Sequence, residues 1–183
     1  MIPPTVLAVP AAVGVVDRHH LPMHKVVRDG VAHGVGVTVK DGIEDVVFKY
    51  AVSQTGEPPV LPESWSNEFP TITDVGAMTV WCEIAAPGYI TQTNSATVVI
   101  SPREVTLTSA SASKVYDGSP LINQNVTVGG DGFIGIEGAI FDVTGSQTVA
   151  GASKNTFMYS LKAGTLSGDY DITKIDGDLT VTK

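Results

Sequence analysis

Residues 78–84 read M-T-V-W-C-E-I, and residues 157–161 read F-M-Y-S-L. In both stretches every second side chain is apolar, which is the pattern of a β-strand with one face on a core. The side chains expected to face inward, in corresponding order, are Val80, Cys82 and Ile84 in the first stretch and Phe157, Tyr159 and Leu161 in the second. A repeated strand of this kind indicates a repeated unit.

The sequence around these two stretches is repeated as well. Residues 25–30, K-V-V-R-D-G, correspond to residues 114–118, K-V-Y-D-G, and residues 95–100, S-A-T-V-V-I, correspond to residues 177–182, G-D-L-T-V-T. Because the blocks recur in the same order, the chain is predicted to hold two related units of roughly 80–100 residues each. We expect a leader and a first repeat over residues 1–103, and a second repeat over residues 104–183.

The strand and turn signals predict an all-β fold. Alternation places Val98 and Ile100 inward in one closing strand and Leu179 and Val181 inward in the other. Asp-Gly pairs, which favour tight turns, stand at residues 29–30, 41–42, 117–118, 131–132 and 176–177. Short strands at this spacing indicate two tandem immunoglobulin-like β-sandwiches. The short joint over residues 101–104, stiffened by Pro102, favours an elongated arrangement.

Charge and composition exclude several classes of partner. The net charge is −8, with six basic and ten acidic residues up to Arg103 and five and nine from Glu104 onward. Each half is therefore acidic and has no basic cluster, which argues against nucleic acid and against an anionic membrane surface. No stretch of the sequence is long enough to span a bilayer, so direct membrane insertion is not expected. Cys82 is the only cysteine, so an internal disulfide is impossible.

The second unit resembles the bacterial immunoglobulin-like surface repeats known as MBG domains. The resemblance rests on residues 114–121 (K-V-Y-D-G-S-P-L), 126–128 (V-T-V), 143–148 (V-T-G-S-Q-T) and 177–182 (G-D-L-T-V-T). It covers nearly all of residues 104–183. The first unit is similar to a variant of the same repeat, with Val27-Arg28 where such repeats carry a Tyr and with an insertion at residues 54–62.

This resemblance implies a large bacterial protein, secreted or attached at the cell surface and often adhesin-like, in which such modules form the stalk. It implies neighbouring repeats of the same polypeptide as partners, and it brings no catalytic residues. We therefore expect an extracellular, non-catalytic spacer module without a cofactor. The alternative is a carbohydrate- or protein-binding module that holds a host or cell-wall glycan or protein.

Three aromatic side chains of the first unit are the candidate ligand-binding residues. Alternation places Trp81 on the strand face opposite the core, and an outward Trp suggests a contact surface. Together with Trp65 and Phe69 it would form a stacking platform beside a groove shaped by the Pro-rich insertion at residues 54–62. The opposing interpretation is that Trp81 is covered by the insertion or packs on a neighbouring module.

Polar clusters give weaker candidates for metal binding. Carboxylate oxygens suit calcium, and the densest set is Asp169, Asp171, Asp176 and Asp178. The alternative is that these carboxylates only keep exposed strands and turns solvated. Imidazoles at close spacing also bind metals, but no Cys or well-spaced carboxylate completes a shell around His19, His20, His24 and His33. We predict no physiological metal site from either set.

Two further motifs are interpreted as structural. Residues 130–135, G-D-G-F-I-G, match the G-x-G-x-x-G pattern of dinucleotide sites. That pattern needs a helix to follow it, whereas strand and turn signals follow here, so we expect a Gly-rich connection. Cys82 falls on the inward phase of its strand, so a buried and inert thiol is expected.

Overall fold

The computed structural model describes residues 5–6, 23–37, 44–53 and 57–183, and its secondary structure is predominantly β. The all-β expectation is thereby confirmed at the level of fold class. Contacts divide the chain into two compact units, Met1–Ser101 and Pro102–Lys183. This division falls two residues before the boundary expected from the repeat.

The first unit is built around one four-stranded sheet. Its strands are β1 (Thr5–Val6), β2 (Met23–Val27), β3 (Val47–Ser53), β4 (Gly76–Ala85), β5 (Tyr89–Ile90) and β6 (Gln92–Ser101). The sheet has the order β2-β6-β4-β3, in which β2 is parallel to β6 and the other pairs are antiparallel. A separate two-stranded sheet pairs β1 in parallel with β5.

The second unit distributes its strands over three small sheets. They are β7 (Arg103–Ser109), β8 (Ala112–Val115), β9 (Val126–Gly130), β10 (Ala139–Val143), β11 (Gly151–Asn155), β12 (Phe157–Leu161), β13 (Tyr170–Ile175) and β14 (Gly177–Thr182). The sheets have the orders β13-β7-β9, β11-β14-β8 and β10-β12. Two pairs are parallel, β7 with β13 and β8 with β14.

Each unit buries its own apolar core, as alternation along its strands requires. The buried residues of the first unit include Val35, Val80, Cys82, Ile84, Ala96, Val98 and Ile100. Those of the second include Val105, Leu107, Val143, Phe157, Tyr170, Leu179 and Val181. The inward phase predicted for β4 and for both closing strands is therefore confirmed.

The early and closing strands meet in the same way in both units. The parallel pair of β2 and β6 and that of β8 and β14 are each extended by one backbone hydrogen bond from the next residue. Arg28 N–H donates to the carbonyl of Ser101 at 3.0 Å, and Tyr116 N–H donates to the carbonyl of Thr182 at 2.9 Å. Arg28 therefore stands where the second unit has Tyr116.

An equivalent Asp-Gly turn follows each of these hydrogen bonds. The side-chain oxygens of Asp29 and Asp117 each accept a hydrogen bond at 2.9 Å from the backbone N–H two residues on. Gly30 and Gly118 have φ angles of 80° and 81°, in the left-handed region that favours glycine. The predicted turns at these two positions are confirmed, while the Asp-Gly pair at 41–42 lies outside the described residues.

Two further pairings recur at matched positions beyond the turns. The first is an antiparallel bridge, His33–Ile72 in the first unit and Leu121–Gln147 in the second. The second is a cross-strand pair between a glycine and the closing strand, Gly76–Ile100 in the first unit and Gly151–Val181 in the second. Both glycines begin the strand that lies antiparallel to the closing strand, and their φ angles are 154° and 147°. The path of the chain is thus the same in both units over these segments.

The matched glycines correct the strand correspondence expected from the sequence. If Gly76 is equivalent to Gly151, then Cys82 is equivalent to Phe157, and Asn155 takes the place of Val80. The expected alignment, which matched Val80 with Phe157, is therefore wrong by two residues. A shift of two leaves every side chain on the same face, so alternation cannot detect it.

The expectation that Tyr159 faces inward is also wrong. Phe157 is 2% exposed, but Tyr159 is 38% exposed and Leu161 is only partly buried. The cause is a break at Thr156, where the strand leaves the sheet of β14 and continues as β12 in a two-stranded sheet with β10. Only the end of β12 nearest the break reaches the core.

Candidate binding cleft

A cleft lies on the first unit, between its four-stranded sheet and the loop before β4. Its volume is about 340 Å³, within the range of small-ligand sites. Its lining residues are Lys49, Pro58, Pro59, Val60, Pro62, Trp65, Glu83 and Thr93. Lys49, Glu83 and Thr93 are cross-strand neighbours on β3, β4 and β6, so they share one face of the sheet.

Local hydrogen bonds fix the loop wall of the cleft. The indole N–H of Trp65 donates to the carbonyl of Pro59 at 3.0 Å. A short 3-10 turn over Pro62–Ser64 precedes Trp65, whose backbone N–H donates to the carbonyl of Pro62. Ser66 and Tyr50 exchange two backbone hydrogen bonds of 2.7 and 2.8 Å, which attach the loop to β3. The indole is therefore held by its own loop before any ligand binds.

The chemistry of the cleft combines an apolar wall with a charged floor. Three proline rings and the indole of Trp65 supply rigid apolar surface, and an indole face stacks on sugar rings or on proline. Lys49 and Glu83 stand opposite each other in register and supply a cation and an anion. Thr93 adds a hydroxyl group. This set of groups suits a polar ligand with one apolar face.

The structure separates the three aromatic residues proposed as a platform. Among them, Trp65 lines the cleft. Phe69 makes an edge-to-face contact with Tyr50, with ring centroids 5.4 Å apart. Because Tyr50 follows Lys49 on β3, these two side chains point to opposite faces of the sheet. Phe69, which is 41% exposed, therefore lies on the core side of the sheet and Trp65 on the cleft side.

Trp81 is partly buried on β4. Its indole nitrogen is inaccessible to solvent and has no hydrogen-bond partner among the described residues. Trp81 shares the outer face of β4 with Glu83, because the two residues are separated by one position. The side chain therefore offers less free surface than alternation alone suggested.

The aspartates of the second unit are dispersed rather than gathered around a cation. Asp176 pairs with Lys174 and Asp178 pairs with Lys154, each at 2.6 Å. Asp169 is 3% exposed, whereas Asp171 is exposed on β13. Within the described parts of the chain, no three His, Cys, Asp or Glu side chains are grouped so as to hold a metal ion.

Among the histidines, only His33 has a described side chain. His19 and His20 lie outside the described residues, and the side chain of His24 is not described. His33 contacts Asp29, with Nε2 and Oδ1 3.0 Å apart, and this hydrogen bond lowers the pKa of Asp29. Burial raises the pKa of the Cys82 thiol to about 11, with a smaller effect from the charge of Glu83. Cys82 is fully buried, so the expectation of a buried thiol is confirmed.

The Asp117-Gly118 turn of the second unit holds a compact set of polar side chains. Lys114 Nζ donates to Asp117 Oδ1 and to the carbonyl of Ser119 at 2.6 Å, and to Ser119 Oγ at 2.7 Å. The hydrogen bond from Lys114 holds the pKa of Asp117 well below its usual range, with further hydrogen bonds from Ser119. These groups bond to one another within the turn, so their role is to hold its conformation.

A buried polar junction in the second unit was missed by the sequence reasoning. Asn155 is fully buried, and its Nδ2 donates to the carbonyls of Ala110 and Asn123, both at 2.8 Å. Ser109 Oγ donates to the carbonyl of Asn155 and accepts from the N–H of Gly177. These contacts join the β7–β8 and β13–β14 connections. We call this set the Asn155 junction.

Gly177 belongs to the junction rather than to a tight turn. Its φ is not in the left-handed region, and it begins β14 with only Asp176 between it and the end of β13. A Cβ atom at this position would overlap the backbone of Ser109 and Ala110. The turn expected at residues 176–177 is therefore corrected to a direct passage between two strands, and glycine is needed there for close approach.

The Gly-rich residues 130–135 form a connection, as expected. Gly130, Gly132 and Gly135 have positive φ angles, and β10 follows them without an intervening helix. Arg103 donates hydrogen bonds to the carbonyls of Asp131 and Gly132 and so holds this segment. The helix N-terminus that a dinucleotide site requires is not formed by these described residues.

Comparison with known proteins adds no assignment. No protein-family model matches the chain, and no curated protein sequence matches it either. Among the described residues, no helix is long and apolar enough to cross a membrane.

Proposed function

We propose that the chain consists of two tandem immunoglobulin-like β-sandwich repeats of the MBG type that act as a non-catalytic spacer in a larger bacterial surface or secreted protein. In this proposal the modules are extracellular, require no cofactor and have neighbouring repeats as their immediate partners. They separate a distal binding domain of an adhesin-like protein from the cell.

The recurrence of one chain path in both units carries the proposal. The parallel pairing of an early strand with the closing strand, the Asp-Gly turn and the matched bridge all occur twice. Repeat arrays consist of units that share one chain path, and each unit adds length to the array. A spacer can use both units in the same way, because each one adds length.

The connection between the units also supports a spacer. β6 ends at Ser101 and β7 begins at Arg103, so Pro102 alone lies between two strands. Proline restricts its own φ angle, and a single connecting residue leaves little freedom for a hinge.

Small-angle X-ray scattering on the full chain tests the spacer proposal. Two modules arranged end to end, each about 35–40 Å long, would span roughly 70–80 Å. A single compact body of this chain length would have a maximum dimension of about 50 Å. A symmetric distance distribution that ends near the smaller value would contradict the spacer.

A second candidate function is the binding of a carbohydrate or protein ligand in the cleft. The observation that favours it is the fixed indole of Trp65 beside Lys49, Glu83 and Thr93. In this proposal Trp65 stacks on the apolar face of the ligand, and the charged pair binds its polar groups. Host and cell-wall glycans have this combination of faces.

Tryptophan fluorescence tests the second candidate in a Trp81→Phe variant, which leaves Trp65 as the single reporter. Titration with a panel of soluble cell-wall oligosaccharides should shift the emission if the cleft binds them. A Trp65→Ala variant, titrated by calorimetry, should lose the same binding. Unchanged emission up to millimolar ligand, together with no heat of binding, would exclude carbohydrates from the cleft.

A further inference from the structure

We propose that both units are built to resist tension along the chain, because their early and closing strands form parallel pairs that are loaded in shear. This inference rests on the proposed spacer function, since a stalk between a cell and its target transmits force. It goes further by identifying the pairs of strands that carry the load.

In the first unit the load-bearing pair is β2 with β6. Five residue pairs lie in parallel register, from Met23 opposite Thr97 to Val27 opposite Ser101. The hydrogen bond from Arg28 N–H to Ser101 extends this pair by one residue. A second parallel pair, β1 with β5, adds two residue pairs in the other sheet.

In the second unit the arrangement recurs with a longer second pair. β8 lies parallel to β14 over four residue pairs, from Ala112 opposite Leu179 to Val115 opposite Thr182. β7 lies parallel to β13 over six residue pairs, from Tyr170 opposite Arg103 to Ile175 opposite Thr108. The first two strands of this unit, β7 and β8, therefore pair in parallel with its last two strands, β13 and β14, in the same order.

The direction of pulling explains why parallel pairing matters. Tension applied to the chain draws the early strand toward its own N-terminus and the closing strand toward its own C-terminus. In a parallel pair these ends lie at opposite ends of the ladder, so the strands must slide past each other and the evenly spaced hydrogen bonds share the load. In an antiparallel pair pulled from adjacent ends, the hydrogen bonds break one after another.

The Asn155 junction strengthens this arrangement in the second unit. It lies where the chain passes from β7 to β8 and from β13 to β14, the two connections that shear would separate. Ser109 Oγ accepts a hydrogen bond from Gly177 N–H, and Ser111 Oγ accepts one from Asp178 N–H, both at 2.9 Å. These contacts tie the two parallel pairs together at one point, so neither can slide without breaking the junction.

The pair lengths predict an order of mechanical unfolding. The closing-strand pairs are similar in the two units, with five and four residue pairs. The second parallel pair differs, with two residue pairs in the first unit and six in the second. We therefore expect the first unit to yield at lower force than the second.

Single-molecule force spectroscopy on the full chain tests this inference along two pulling axes. In the first, tethers are attached at the chain termini. In the second, they are attached at an Ala150→Cys site and at the C-terminus, so that force peels β11 from β14 beginning at the Gly151–Val181 pair. Cys82 is buried and stays unlabelled in the folded protein. A flexible Gly-Ser insertion of about 20 residues in the exposed turn at Gly164 lengthens the second unit's unfolding step and identifies it.

We expect terminal pulling to unfold the second unit at roughly two to four times the peeling force, because the residue pairs of β8 with β14 and of β7 with β13 share the load, whereas peeling breaks the hydrogen bonds one after another. The marked step should also come after that of the first unit. Equal forces along both axes would overturn the inference, and so would a marked step that comes first. These outcomes are independent of the scattering result: a compact chain with a strong terminal axis would refute the spacer alone, and an elongated chain with equal forces would refute the shear design alone.

Discussion

Replacing Asn155 with alanine should destabilise the second unit selectively. Asn155 is fully buried, and its side-chain amide donates two hydrogen bonds of 2.8 Å to the carbonyls of Ala110 and Asn123. Alanine removes both donors and leaves two carbonyls without these partners. The backbone of residue 155 keeps its contacts, so the damage is confined to the junction.

The expected loss follows from the two hydrogen bonds. Each contributes about 1 kcal/mol net, and a buried acceptor left without a partner costs about 1–3 kcal/mol. Part of this cost is offset because Oδ1 of Asn155 is itself buried and has no hydrogen-bond partner among the described residues. We expect the free energy of unfolding of the second unit to fall by about 2–4 kcal/mol, out of a typical 5–15 kcal/mol for a domain.

The distribution of tryptophan makes the assay specific to each unit. The chain has two tryptophans, Trp65 and Trp81, and both lie in the first unit. Urea unfolding followed by Trp fluorescence reports the first unit, while far-ultraviolet circular dichroism reports both. The Asn155→Ala variant should shift part of the dichroism transition to lower urea with the fluorescence transition unchanged.

A matched control is Asn125→Ala, at an exposed position of the same unit. This substitution should change the stability by no more than about 0.5 kcal/mol. The reasoning about the junction is refuted if Asn155→Ala behaves like the control, or if it shifts the fluorescence transition by as much as the dichroism transition.

Three further predictions concern single residues. Phe157→Ala should lower the free energy of unfolding of the second unit by about 2–5 kcal/mol, whereas Tyr159→Ala should lower it clearly less because the Tyr159 ring is partly exposed. Equal losses in urea unfolding would contradict the passage of the strand at Thr156 from the sheet of β14 to that of β10. Gly177→Ala should destabilise the junction by overlap with Ser109, and a variant as stable as the wild type would show that close approach is not required there. Stability should decline as pH rises from about 9 toward 11, because the unfolded chain loses the Cys82 proton before the folded chain does; a Cys82→Ala variant should lose this component, and an identical pH profile would contradict it.

The sequence predicted the parts of the fold that depend on alternation and on turn chemistry. Val98, Ile100, Leu179 and Val181 are buried because a period of two residues leaves one face for the core. The Asp-Gly turn after Val115 was predictable because glycine tolerates positive φ and aspartate bonds to the backbone nearby. Such features depend on neighbours in the sequence and can be recognised in a single chain.

Features that depend on pairing between distant segments could not be predicted in the same way. Parallel pairing of β8 with β14 leaves no local signal, because alternation is the same in parallel and antiparallel strands. Matching Gly76 with Gly151 shifts the expected alignment by two residues, and alternation could not reveal this shift because it leaves every side chain on the same face. Asn155 resembled a polar surface residue, and its burial depends on carbonyls contributed by residues at least 30 positions away.

The candidate cleft was predictable only in outline. The Pro-rich insertion was expected to shape a groove, and Trp65 was expected in an aromatic platform beside it with Trp81 and Phe69. Prolines of the insertion and Trp65 line the cleft, whereas Phe69 and Trp81 are not among its lining residues. The placement of Phe69 depends on its contact with Tyr50 across the sheet, which has no signature in the sequence. The pairing of Lys49 with Glu83 follows from the register of β3 and β4, which became visible only in the fold.

Nuclear magnetic resonance of the full chain tests most directly the claim that both units share one architecture with parallel early and closing strands. We expect cross-strand proton contacts between Val26 and Ile100 and between Lys114 and Val181. We also expect slow amide exchange at Arg28 and Tyr116, which donate the matched hydrogen bonds. Loss of either set of contacts, or fast exchange at one of these amides with slow exchange at the other, would contradict the shared architecture.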